Sequence, residues 1–126
     1  MNLEKLRSHC LSLRGATEQI QWGADLVFKV GGKMFAVAAT EPGSGHRVSF
    51  KCSDEGFAEL VEQDGIVPAP YLARAKWVAL EAREALSDRE IQNHIHESYD
   101  LVFAKLTKKL QTEISAAPAP RRPPRR

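Results

Sequence analysis

The sequence predicts an α+β fold. An antiparallel sheet, built from a three-stranded meander plus a later short strand, is covered by N-terminal, middle and long C-terminal helices. Three observations lead there. Between Ala24 and Cys52, three runs carry the period-two patterning of strands. On either side, apolar residues recur at three- and four-residue steps, the repeat of a helix face. Finally, the strands cluster instead of alternating with helices, which favours helices laid on one face of an antiparallel sheet.

Asn2 caps a first helix whose stripe is Leu3, Leu6, Cys10 and Leu13, with Arg14-Gly15 as its stop. Ala16 to Gly23 is less regular and reads as a connection, pinned onto the sheet by Ile20 and Trp22. In the meander, Leu26, Phe28 and Val30 alternate with Val27 and Lys29. Met34, Ala36 and Ala38 then alternate with Phe35 and Val37, and Val48, Phe50 and Cys52 with Arg47, Ser49 and Lys51. Gly31-Gly32 supplies the positive φ of a tight primed turn, and Glu41 to His46 forms the next loop.

Ser53 caps a middle helix with Asp54 and Glu55 in its first turn, where carboxylates complement the helix dipole, and with Phe57, Leu60 and Val61 as its stripe. Asp64-Gly65 ends it, and Ile66 to Pro70 reads as a proline-punctuated loop. Trp77 to Leu80 is the fourth, short strand. Ser87 and Glu90 form a capping box opening a long final helix through Ile91, Ile95, Ser98, Tyr99, Val102, Leu106 and Leu110, fading by Ser115. Residues 1–115 are thus expected to form one domain. Residues 116–126 contain only Ala, Pro and Arg, with nothing to bury, and are expected to be a disordered tail.

The formal charge of +2 is made by that tail. Without Arg121, Arg122, Arg125 and Arg126, 14 basic residues face 16 acidic ones, a body charge of −2. A polyanion would therefore be held only by cations gathered on one face or in the tail. No apolar run approaches the roughly 18 residues of a membrane span, and the N-terminus lacks a secretion-signal layout, so the expected location is cytoplasmic. Cys10 and Cys52, far apart and without a Cys-x-x-Cys pair, read as reduced core residues. A monomer is expected.

No residue set supports an enzyme. His94 and His96 stand two apart on a helix and cannot face one metal ion, while His96 and Asp100 share a face as a solvated pair. No nucleophile elbow, phosphate loop or dinucleotide fingerprint is present, so neither catalytic residues nor a metal or other cofactor are expected.

Two binding readings remain. In the first, the outward basic residues of the meander, Lys29, Lys33, Arg47 and Lys51, form a patch with Arg74 or Lys76 that contacts the phosphates of DNA. The same lysines also serve solubility and block edge pairing. The Arg/Pro tail adds charge, and Pro120-Arg121-Arg122-Pro123 fits a polyproline-II ligand. In the second, Trp22, Tyr71, Trp77 and Tyr99 line a pocket between the sheet and the final helix, making a protein-interaction or small-ligand module.

Four segments carry a family resemblance. Phe28-Lys29-Val30-Gly31-Gly32-Lys33-Met34-Phe35-Ala36, Val48-Ser49-Phe50-Lys51-Cys52, Pro70-Tyr71 leading to Lys76-Trp77-Val78, and Ser98-Tyr99-Asp100-Leu101-Val102 resemble successive motifs of the MmcQ/YjbR family of small bacterial proteins. The resemblance spans roughly Leu3 to Leu110. It implies a frataxin-like or double-wing α+β domain and the DNA-binding role commonly attached to the family. By position Lys33, Lys51, Trp77, Ser98 and Tyr99 match the family pattern. Arg74 stands where a lysine is frequent, Lys76 where a histidine is frequent, and Arg14-Gly15-Ala16 where Pro-Gly-Ala is usual. The exchanges at Arg74 and Lys76 keep positive charge, as a phosphate contact requires, though the one at Lys76 would undermine a role needing imidazole chemistry. The first helix lacks the acidic ridge of an iron-handling frataxin, so metal delivery is not implied.

Overall fold

The computed structural model describes residues 2–21, 25–40, 48–70, 72–81 and 85–116. In chain order they form α1 (Leu3–Leu11), β1 (Ala16–Gln21), β2 (Asp25–Val30), β3 (Lys33–Ala39), β4 (Val48–Lys51), α2 (Asp54–Leu60), β5 (Ile66–Pro68), a 3₁₀ turn (Ala73–Ala75), β6 (Trp77–Leu80), α3 (Asp88–Ala104) and α4 (Lys108–Ala116). The class is α+β. All strand pairs are antiparallel, in the order β1-β2-β3-β4-β6-β5.

The sheet is wider than expected, with six strands where four were read. The segment taken as a connection is β1, paired residue for residue with β2 from Ala16↔Val30 to Gln21↔Asp25. Its alternation was hidden because the inner position Glu18 is charged. Arg7 of α1 neutralises it with two hydrogen bonds of 2.7 and 2.6 Å. The proline-punctuated loop contains β5, and Pro68 is tolerated because β5 is an edge strand.

The expected alternation in β3 also breaks. Phe28 pairs with Ala36 but Lys29 with Met34, so a bulge at Phe35 puts Phe35 and Ala36 on the same side. That side carries the main core: Leu26, Phe28, Val30, Val48, Phe50, Val78 and Leu80 of the sheet meet Leu6 and Cys10 of α1 and Ile91, Ile95, Tyr99 and Val102 of α3. Val27, expected to face outward with Lys29, does leave the helix side but is buried. With Val37, Ala69, Trp77 and Ala79 it forms a second cluster, against which Met34, Val67 and Leu72 pack.

The caps at Asn2, Ser53 and Ser87 form as read, with Ser87 and Glu90 bonded reciprocally. α1 stops earlier than Arg14-Gly15, at Leu11, where the Ser12 amide bonds back to the helix. The single long final helix is two helices. Leu106 N–H bonds Phe103 O, Thr107 Oγ1 accepts from Leu110 N at 3.2 Å, and the Gln111 amide reaches the carbonyls of Phe103, Ala104 and Leu106. Thr107 and Gln111 thus satisfy backbone groups that an unbroken helix would have paired internally. Of residues 116–126, expected to be a disordered tail, Ala116 instead ends α4, and 117–126 lie outside the described residues.

Candidate nucleic-acid interface

The chain direction of the sheet gathers its basic residues at one end. There lie the Gly31-Gly32 turn between β2 and β3, the end of β4, and the 3₁₀ turn leading into β6. Both glycines have positive φ, 59° and 82°. Gly31 also has a neighbour: a Cβ placed there would lie 2.6 Å from Leu106 Cδ1. The α3–α4 junction therefore rests directly on the hairpin turn.

Each expected cation can now be placed. Lys29 pairs with Thr17 and Met34 and, like Met34, faces away from the helices. Lys51 pairs with Trp77 and shares that open face, two strands from Lys29 and so about 10 Å from it. Its ammonium is engaged, donating to Ala75 O at 2.8 Å. Lys33 is exposed and pairs with Val30, so it lies at the rim on the helix side. Arg74 is exposed in the 3₁₀ turn.

Lys76 leaves the group. Its backbone is left-handed, with φ 66°, and its ammonium sits 5.1 Å from the centre of the Phe57 ring of α2. Arg47 lies outside the described residues. The expected single patch is therefore a rim: Lys29 and Lys51 open one face of it, Lys33 the other, and Arg74 stands nearby.

Sequence reading missed three residues there. Lys105 ends α3, and Lys108 and Lys109 open α4; all three are exposed and flank the Leu106 that covers Gly31. The signal was three lysines within residues 105–109, which a continuous helix would have distributed as an ordinary solvated face. Among the described residues, none of Lys29, Lys33, Lys51, Arg74, Lys105, Lys108 and Lys109 forms an ion pair; the pairs present are Lys5–Asp88, Arg7–Glu18, His94–Glu97 and His96–Asp100. Asp54, Glu55 and Glu59 of α2 and Glu113 of α4 are the carboxylates on those two helices.

The aromatic pocket does not form as expected. Trp77 belongs to the open-face cluster and Tyr99 to the helix-side core, with the sheet between them. Trp22 and Tyr71 lie outside the described residues. Tyr99 instead makes an edge contact with Phe35, with ring centres 5.5 Å apart, and its hydroxyl donates to Arg14 O. A shallow cavity of about 440 Å³ lies elsewhere, along α4, lined by Phe103, Lys108, Gln111, Thr112, Ser115 and Ala116.

Both cysteines are packed as structural residues. Burial pushes the Cys52 thiol up to about 12 and raises that of Cys10 as well, which removes their nucleophilic form near neutrality. His94 stacks on Phe50 at 5.5 Å, and His96 and Asp100 do share an exposed face, 3.8 Å apart. Among the described residues no three His, Cys, Asp or Glu side chains stand close enough to hold a metal ion, and no helix is long and apolar enough to cross a membrane.

Residues 11–101 match the family model described as YjbR. The chain belongs to the YjbR family. Among solved structures, this YjbR protein is similar to a Deinococcus radiodurans protein described as a DUF419 domain, with 28% identity and a TM-score of 0.79 over 90% of this chain and 88% of that one. A Pseudomonas syringae protein, 19% identical, shares the fold, with a TM-score of 0.66 over 81% of this chain and 99% of that one. No curated protein matches the sequence. Of the residues expected to match the family pattern, Ser98 and Tyr99 are both buried and bond to backbone carbonyls, whereas Lys33 is exposed.

Proposed function

We infer that this chain is a cytoplasmic, non-enzymatic protein that binds DNA weakly through the phosphate backbone, using the basic rim of its sheet in the manner of a wing. The observation that carries the reading is the docking of the α3–α4 junction on Gly31, which brings Lys105, Lys108 and Lys109 to the Lys33 side of the rim, and none of these four lysines is ion-paired among the described residues. Unpaired cations at one edge of a body whose net charge is negative create a local field that a phosphate chain can follow. The sheet itself offers little base readout, because its open face is largely closed by Val27, Val37 and Trp77.

Fluorescence anisotropy of a labelled duplex tests this reading. The full chain, a chain ending at Ala116, and Lys33→Glu/Lys109→Glu are titrated at low and physiological salt. Binding that survives truncation and falls at least about tenfold in the charge-reversed variant supports the rim. Binding unchanged by the reversal, or lost entirely with the tail, refutes it.

A further inference from the structure

The two edges of the sheet are protected differently. β5 is three residues long and carries Pro68, which blocks strand addition. β1 is six residues long, has no proline, lysine or bulge, and runs in unbroken register along β2. Among the described residues nothing pairs with its outer hydrogen-bonding groups. The Ala16 amide bonds to Leu13 O, not to β2, so Ala16 and Val30 form a non-hydrogen-bonded pair. By the alternation of an antiparallel ladder, the amides and carbonyls of Glu18 and Ile20 then point away from β2.

Side chains along this edge have a matching character. Ile20 is 58% exposed, the one large hydrophobic so exposed among the described residues. Thr17, Gln19 and Gln21 on the other face are uncharged, and Glu18 is already neutralised by Arg7 within the chain. The edge therefore has no net charge with which to select an oppositely charged partner, and an identical strand meets it without repulsion. An antiparallel strand pair is also the arrangement in which one edge complements itself about a two-fold axis.

We propose that β1 is a homodimer interface, pairing antiparallel with β1 of a second copy into a continuous twelve-stranded sheet, with Ile20 covered on the helix side by the partner strand. The two-fold axis stands perpendicular to the sheet, so both open faces lie on the same side. Nothing in this depends on DNA binding.

The test is the solution mass of the full chain by light scattering at rising concentration, with hydrogen exchange at the Glu18 and Ile20 amides. The expected result is a mass that doubles as those two amides become protected. Ile20→Lys, an exposed substitution that leaves circular dichroism unchanged, should raise the dissociation constant at least about tenfold, since it places two lysines against one interface. A chain that stays monomeric overturns the proposal. So does a dimer that persists in Ile20→Lys with both amides exchanging freely, since its interface lies elsewhere. A monomer whose amides are nonetheless protected assigns the edge to another segment of the same chain, and equally overturns it.

Discussion

Ser98 Oγ lies 2.5 Å from the carbonyl oxygen of Lys51 and 2.8 Å from that of His94, and it has one proton to give. The reason it goes to Lys51 lies in the sheet. Cys52 N bonds to Lys76 O, so by alternation the Lys51 carbonyl points toward β3, where the ladder has already ended at Ala36↔Phe50. Ser98, fully buried, takes the place of the missing strand neighbour. Removing the hydroxyl in Ser98→Ala should cost about 1–3 kcal/mol, the cost of an unsatisfied buried acceptor, read as a lower urea midpoint at unchanged m-value. An unchanged midpoint would mean that the carbonyl finds another donor.

The two turn glycines should respond unequally to alanine. Both have positive φ, so both substitutions strain the backbone, but Gly32 faces open space while Gly31 meets Leu106. Gly31→Ala should destabilise by about 1–3 kcal/mol more than Gly32→Ala, the range for overpacking. Equal losses in paired denaturation curves would show that the α3–α4 junction gives way without cost.

His9 should make stability sensitive to mild acid. Burial lowers its pKa, partly opposed by the bond to Gln92 O and reinforced by His96 nearby. With the folded pKa below the unfolded value of about 6.5, the unfolded chain binds the proton more readily. Stability from this group is complete above that value and declines as pH falls through it toward the folded pKa. His9→Gln should flatten the thermal midpoint against pH in that window, and an undiminished slope would assign the effect to other groups.

The Arg/Pro segment should show up in salt dependence. Four arginines in contact with phosphates add up to about 3–4 to the negative slope of log K against log salt. Ending the chain at Ala116 should reduce the slope by that amount while leaving the contribution of the rim lysines. A slope independent of truncation would show that the tail does not touch DNA.

Much of this was legible locally. The caps at Asn2, Ser53 and Ser87, the Gly31-Gly32 turn and the apolar stripe from Ile91 to Val102 each depend on residues a few positions apart, and the sequence by itself determined them. With them came the α+β class and the family. What only the tertiary structure decided involves distant partners. β1 is a strand because β2 pairs with it and Arg7 neutralises Glu18, the last helix divides because Gln111 can bond the carbonyls ending α3, and Phe35 turns inward because a bulge re-aims it. The candidate site is of the second kind. Lysines 33 and 105 are far apart in sequence and reach the same rim because Gly31 leaves room for Leu106, a relationship set by packing and not by any local pattern.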